Sequence, residues 1–205
     1  MNSKLSYGLW GLAAFLSVGV AIFSYRLLAP APFVSPDVLA NLFARPWLFA
    51  HAGFAATALL VGPFQFLPKL RARRPRLHRW MGRIYVFACL GGGATGLALA
   101  IGTTAGPVAA AGFAALALAW LFTTGQAFRL ALARRFVEHR RWMVRSFALT
   151  FAAVTLRLYL PFGPMMGIDF MTAYVAIAWL CWVPNLAFAE LYLARDVRRA
   201  APAAA

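Results

Sequence analysis

Acidic residues are scarce in this sequence, which has five Asp and Glu residues in total. Cysteine is rarer still, and neither Cys89 nor Cys181 has the spacing of a metal or redox motif. A Ser-His-Asp or Cys-His nucleophile signature, a P-loop and a dinucleotide-binding glycine motif are all missing. These absences disfavour a hydrolase and a proton-coupled transporter built on buried carboxylates. The sequence assigns no enzymatic activity.

Apolar residues are abundant instead, at 63% of the chain, and they occur in runs long enough to cross a bilayer. The sequence therefore predicts an all-α integral membrane protein. A formal charge of +15 would suggest nucleic acid as the partner of a soluble protein. Here the basic residues stand between apolar runs, where they set orientation and contact anionic lipid headgroups. We expect the lipid bilayer, and no nucleic acid, as partner.

Six membrane spans are predicted, and together they make residues 1–205 a single transmembrane domain. A cleaved signal peptide is the alternative for the first run, because Lys4 precedes it and Ala29-Pro30-Ala31 resembles a cleavage site. The length of the run favours a span. Three prolines make residues 29–45 a loop. The predicted spans cover residues 7–28, 46–67, 84–101, 108–128, 146–160 and 170–193.

Positive charge predicts the orientation of these spans. Two basic stretches, Gln65 to Arg83 and Gln126 to Arg145, each connect two apolar runs, and positively charged connections stay in the cytoplasm. With six spans, both termini fall on the same side as these stretches. The prediction is a protein of the bacterial inner membrane with cytoplasmic N- and C-termini.

The two basic stretches also resemble each other. Gln65 matches Gln126 and His78-Arg79 matches His139-Arg140 at one offset; after one inserted residue, Trp80-Met81 matches Trp142-Met143. Each stretch reads as the turn of a membrane hairpin. The second and third spans then form a parallel internal repeat with the fourth and fifth, related by an axis along the membrane normal. Spans two to five are expected to form a four-helix core.

The repeat places His78 and His139 at equivalent depths. Two histidines that face each other across a bundle can supply two axial nitrogens to the iron of haem b, or two ligands to another metal. Four neighbouring arginines are candidates to neutralise haem propionates: Arg79, Arg83, Arg140 and Arg145. The alternative is a basic belt that contacts lipid phosphates, with the tryptophans as interfacial anchors.

Four further polar residues fall within or beside the apolar runs. Gln65 and Gln126 are candidate amide donors to an anionic ligand, or bond between helices. His51 and Arg157 share a depth near the outer surface, where they are expected to line a cavity completed by Asp169. The alternative for Arg157 is a side chain that extends to the outer surface.

Three strings are specific enough to suggest a family: GPFQF at residues 62–66, LHRWMGRIYV at 77–86, and HRRWMVRSFALTFAAVTLRLYLP at 139–161. Over roughly residues 46–161 the chain resembles the bacterial membrane family labelled domain of unknown function 2306. The resemblance implies a multi-span inner-membrane protein. It implies no activity and no site residues.

The layout is also similar to that of six-span b-type cytochromes, whose four central helices hold two haems between histidine pairs. The fourth span has no histidine, so the similarity extends to one pair at most. We therefore predict a membrane redox protein with one bis-histidine haem site. The alternatives are a non-enzymatic binder or transporter of an anionic lipid or small acid, and an oligomeric or assembly subunit of a membrane complex.

Overall fold

The computed structural model describes residues 3–28 and 43–200. Every regular element in these two ranges is helical. The predicted cleavage site and nearly all of the predicted first loop lie outside the described residues. The helices are α1 (Ser3–Tyr25), α2 (Ala44–Val61), α3 (Pro68–Arg73), α4 (Pro75–Ile101), α5 (Pro107–Leu132), α6 (Phe136–Thr150), α7 (Ala152–Tyr159), α8 (Phe162–Met165), α9 (Phe170–Leu180) and α10 (Val183–Ala200), with 3₁₀ turns at Arg26–Leu28 and Gly62–Phe66.

Six segments of the described residues are long and apolar enough to cross a membrane, which confirms the predicted number of spans. In such a segment every backbone N–H and C=O group must find a partner within the protein, and a helix provides one for each. The segments are Gly8–Leu28, Ala44–Phe66, Pro75–Ile101, Pro107–Leu132, Phe136–Met165 and Phe170–Asp196.

The basic stretches are mostly helical, so the turns within them are much shorter than predicted. The helix of the third span begins at Pro75, before the predicted span start at residue 84, and the helix of the fifth span begins at Phe136, before residue 146. Arginine is a good helix former, and proline is well placed in a first turn, so charge alone does not end these helices. His78 and His139 are each the fourth residue of their helix.

Buried residues of α2, α4, α5 and α6 form the central cluster. In that cluster α4 packs between α2 and α5, and α5 packs on α6. The glycines of α4 permit this approach: a Cβ atom at Gly91 would lie 2.8 Å from the ring of Phe54, and one at Gly92 would lie 2.9 Å from Trp120. The third span is therefore crowded on both sides.

The first and sixth spans pack outside this core, as predicted. Helix α1 lies against α2 and also contacts α7, while α9 packs on α5 and α10 packs on α6. The sixth span is interrupted at Cys181 because Pro184 has no N–H group to continue the helix. Asn185 Nδ2 donates to the Cys181 carbonyl at 3.0 Å, and Thr155 donates to the same oxygen.

Candidate functional site

One face of α4 is directed into the protein and begins with a histidine. His78, Gly82, Tyr85 and Cys89 follow the spacing i, i+4, i+7 and i+11, which places them on one side of a helix. Tyr85 and Cys89 are completely buried, whereas His78 is half-buried. The histidine is therefore the outermost member of an inward-facing stripe.

Helix α6 carries a stripe of the same spacing. His139, Met143, Ser146 and Thr150 lie on its inward face, and the last three of these are buried. The hydroxyl oxygen of Tyr85 lies 3.0 Å from Ser146 Oγ and 2.8 Å from Thr150 Oγ1. These contacts hold the two inward faces together two turns beyond the histidines.

Helix α5 completes the buried polar cluster. Trp120 Nε1 donates to Thr150 Oγ1 at 2.9 Å, and the Thr124 and Ser146 hydroxyl oxygens lie 2.7 Å apart. Each of these polar atoms has a partner within the cluster, so burial leaves none of them unsatisfied. The cluster therefore fixes the spacing of α4, α5 and α6 and, with it, the positions of both histidines.

The two histidines approach each other at the end of the bundle that carries the basic stretches. They lie close enough for their charges to interact. His139 Nδ1 lies 2.8 Å from the Ala127 carbonyl oxygen of α5. Because a carbonyl can only accept, this nitrogen carries the proton, and the lone pair of the neutral ring is on Nε2. His78 Nδ1 is buried and has no hydrogen-bond partner among the residues that the structure describes.

Gln65 also contributes to this region. It lies in the 3₁₀ turn after α2, and its Oε1 atom would be 3.3 Å from a Cβ atom at Gly82, one turn from His78. Its Nε2 atom is buried and, like His78 Nδ1, finds no partner within the described part of the chain. Gln126 occupies a different environment, where it accepts from Arg129 Nε at 3.0 Å in an exposed pair. The two glutamines are therefore not equivalent in the structure, and the repeat itself stays a prediction.

The four arginines predicted beside the histidines have different surroundings. Arg140 pairs with Asp196 at 2.6 Å, and Arg145 forms two hydrogen bonds to Glu190, at 2.6 and 2.8 Å. Both acids belong to α10, so the sixth span already neutralises these two arginines. Arg83 is exposed on the outer side of α4, where it stacks on Trp80. Of these four arginines Arg79 lies within electrostatic range of His78, and so does Arg71 of the first basic stretch.

The polar pair at the opposite end of the bundle is tied to backbone. His51 Nδ1 lies 2.9 Å from the Gly92 carbonyl oxygen, and Arg157 donates to the Ala153 carbonyl of its own helix at 2.9 Å. His51 and Arg157 lie within electrostatic range of each other, as their shared depth suggests. Asp169 instead caps α9, where it accepts from the Thr172 N–H group at 3.0 Å.

Metal binding by a larger set of ligands has no support in the described residues, which contain no group of three or more His, Cys, Asp or Glu side chains arranged to hold an ion. Cys89 and Cys181 are free thiols, and both are buried. A bis-histidine haem site needs only two protein ligands, so it does not require such a group of three.

A family model described as "Predicted membrane protein (DUF2306)" matches residues 48–193, which include both histidines and the whole buried cluster. The chain belongs to the DUF2306 family. The family resemblance of the sequence motifs is thus confirmed. Neither a curated protein nor a solved structure shows significant similarity to this DUF2306 chain.

The buried cluster of this DUF2306 protein was missed in the sequence. Tyr85, Thr124, Ser146 and Thr150 belong to no motif, and such side chains are frequent in membrane helices. A signal was present nevertheless, because Ser146 and Thr150 follow His139 at i+7 and i+11. Reading each histidine together with the helical face that it begins would have identified these positions.

Proposed function

We propose that this membrane protein binds haem b between α4 and α6 through His78 and His139 and transfers electrons. The observation that carries the proposal is the orientation of His139. Its Nδ1–H group is held by the Ala127 carbonyl at 2.8 Å, which leaves Nε2 available to a metal. A ligating histidine commonly donates its other ring N–H group to a carbonyl or carboxylate in this way.

The surroundings of His78 support the same site. Gly82, one turn along the inward face of α4, has no side chain, and Gln65 Oε1 lies 3.3 Å from where its Cβ atom would be, so a group bound at His78 would contact Gln65. The buried Nδ1 atom of His78 and the buried Nε2 atom of Gln65 both lack partners among the described residues. Buried polar atoms of this kind call for an explanation, and a bound group is one.

The ion pairs and positions of the arginines limit which of them can bind the haem propionates. Arg140 and Arg145 are paired with α10, and Arg83 lies on the outer side of α4. Arg79 is the one of the four predicted arginines that remains, Arg71 is a further candidate within electrostatic range of His78, and the Gln65 amide can donate another hydrogen bond to a carboxylate. When bound, haem would supply a one-electron couple, its iron would be ligated by His78 and His139, and its carboxylates would be held by a neighbouring arginine and the Gln65 amide.

A second candidate is a binder of a small carboxylic acid at the same place. It is favoured by the unpaired Gln65 Nε2 donor and by Arg79, which together match a carboxylate. This candidate needs no metal. A colourless protein that retains an acid in native mass spectra, and loses it in Gln65→Leu, would favour the second candidate over haem.

The haem proposal is tested by the absorption spectrum of protein expressed with ample haem and purified in mild detergent. We expect a Soret band in the wild type that is lost in His78→Ala and in His139→Ala. His51→Ala is the matched control, because His51 is bonded to Gly92 at the other end of the bundle. A colourless wild type that unfolds cooperatively, or an equal loss of the band in His51→Ala, would overturn the proposal.

A further inference from the structure

The outer side of α4 carries a second stripe that the haem proposal does not use. Arg76, Trp80, Arg83 and Phe87 follow the spacing i, i+4, i+7 and i+11 and are all exposed. Trp80 is 62% exposed and Phe87 is 68% exposed, although the Phe87 ring also contacts Phe54 of α2 edge-on, at 5.6 Å between the ring centroids. The stripe therefore faces whatever surrounds the protein.

The charge of this stripe is not neutralised within the described residues. Their ion pairs all involve arginines of the second basic stretch: Arg135 with Glu138, Arg140 with Asp196 and Arg145 with Glu190. The fourth acidic residue in the described ranges, Asp169, caps α9. No acidic side chain in residues 3–28 or 43–200 pairs with Arg76 or Arg83.

His139 and Trp142 are separated by one residue more than His78 and Trp80. This insertion explains why the arginine of one stretch is paired with an acid and that of the other is not. Arg83 stacks on Trp80 at 5.2 Å, and Arg145 stacks on Trp142 at 4.8 Å, so the local arrangement is shared. Each helical residue adds roughly 100° of rotation, so one insertion turns the second pair by about that angle relative to its histidine. Arg145 thereby meets Glu190 of α10, whereas Arg83 has no counterpart to Glu190.

The shape and polarity of the stripe indicate what would cover it. Arg76, Arg79, Trp80 and Arg83 line a shallow depression of about 240 Å³ at the basic end of α4. The exposed ring of Phe87 and the exposed aliphatic side chain of Leu90 form an apolar surface that extends from this depression along the same span. Guanidinium groups match phosphate oxygens, tryptophan favours the membrane interface, and the apolar part suits an acyl chain.

We propose that this stripe is a binding site for an anionic phospholipid, with the phosphate held by Arg76 and Arg83 and an acyl chain packed along Trp80 and Phe87. Arg76, Trp80, Arg83 and Phe87 take no part in the haem proposal, and Arg79, which also lines the depression, is not needed to hold the phosphate. Trp142 and Arg145 cannot form an equivalent site, because the Arg145 guanidinium group already donates two hydrogen bonds to Glu190. The prediction is thus a lipid site on one basic stretch only.

Native mass spectrometry of the delipidated full chain, titrated with phosphatidylglycerol or phosphatidylcholine, tests the proposal. The matched variants are Arg83→Gln and Arg145→Gln, which remove the same charge from the same arginine-tryptophan stack. We expect the wild type to prefer phosphatidylglycerol. Because each basic residue near a membrane surface contributes about 1 kcal/mol, Arg83→Gln should weaken this binding roughly fivefold and Arg76→Gln/Arg83→Gln more than tenfold. Arg145→Gln should leave it within about twofold.

Two outcomes would overturn the proposal. One is that the wild type binds phosphatidylcholine as tightly as phosphatidylglycerol. This result can be interpreted without any variant. The other is an equal loss in Arg83→Gln and Arg145→Gln, which would show that overall positive charge governs binding. Thermal unfolding of each variant checks that the helices remain assembled, and a colourless protein would leave these expectations unchanged.

Discussion

The hydroxyl oxygen of Tyr85 lies 2.8 Å from Thr150 Oγ1, and this contact connects two helices that are joined to each other mainly through α5. Thr150 Oγ1 also donates to the Ser146 carbonyl and accepts from Trp120. A hydroxyl that bonds to its own helix in this way tends to bend that helix, and α6 ends at Thr150. The contact therefore fixes both the separation and the course of the fifth span.

Replacement of Tyr85 by phenylalanine should destabilise the protein by about 1–2 kcal/mol. It removes two hydrogen bonds, and such bonds between membrane helices contribute about 0.6 kcal/mol each on average. Ser146 and Thr150 keep their bonds to Thr124 and Trp120, so no buried partner is left unsatisfied. Thermal unfolding in detergent, followed by circular dichroism, measures the effect.

Tyr174→Phe is the matched control for this substitution. It removes the same hydroxyl group from a half-buried ring that packs against Phe113, without a hydrogen bond at its oxygen among the described residues. We expect its unfolding temperature to match that of the wild type. Equal destabilisation by the two variants would mean that the hydrogen bonds of Tyr85 contribute nothing specific.

A methyl group at Gly112 should loosen the sixth span. A Cβ atom there would lie 2.9 Å from the Ala178 carbonyl oxygen of α9, and a backbone atom cannot move aside as a flexible side chain can. Overpacking of this kind costs about 1–3 kcal/mol. Gly125→Ala on the same helix should instead stabilise by about 0.5–1 kcal/mol, because nothing lies within 4 Å of its Cβ position. Unfolding temperatures that fall equally in both variants would contradict this account.

The number and type of the spans could be predicted from the sequence because they depend on long apolar runs, and the bilayer permits few alternatives to a helix there. The starts of the helices that contain the third and fifth spans could not be predicted in this way. Arg79 and Arg140 lie within helices that continue beyond the apolar layer, and hydropathy does not measure helix propensity. The position of a helix end and the position of a membrane boundary are different properties.

The candidate site was predicted in part for a similar reason. His78 and His139 are conspicuous in an apolar chain, and the structure brings them within electrostatic range of each other. The neutralisation of Arg145 by Glu190 was not foreseen, because it joins residues 45 apart and depends on how α10 packs. Tyr85 was overlooked because its partner Ser146 is 61 residues away and neither residue type marks a site.

The turn between α5 and α6 contains a residue in a strained conformation. Arg134 has φ of 59°, in the left-handed region that favours glycine after a helix. Arg134→Gly should therefore stabilise the protein by about 0.5–1 kcal/mol, since glycine avoids the contact of Cβ with the following carbonyl. Arg134→Ala removes the same charge but keeps Cβ, so it should not share the gain. A higher unfolding temperature in the alanine variant than in the glycine variant would refute the backbone explanation.

The orientation predicted from charge can be tested with single cysteines. Cys89 and Cys181 are each 0% exposed, so the natural thiols should not react and need no replacement. Ala72 and Ala133 are exposed in the two basic stretches, and Thr104 is exposed in the connection at the opposite end. Positively charged connections remain in the cytoplasm during insertion. A membrane-impermeant maleimide applied to intact cells should therefore label Thr104→Cys and leave Ala72→Cys and Ala133→Cys unlabelled.

Permeabilised cells provide the control, because all three introduced thiols should then react and the wild type should not. Labelling of Ala72→Cys from outside intact cells would reverse the orientation and place the histidines at the external face. Labelling of only one of Ala72→Cys and Ala133→Cys would contradict the number of spans between them, because two spans must return the chain to the same side. The experiment thus tests the charge argument and the six-span topology independently of any ligand.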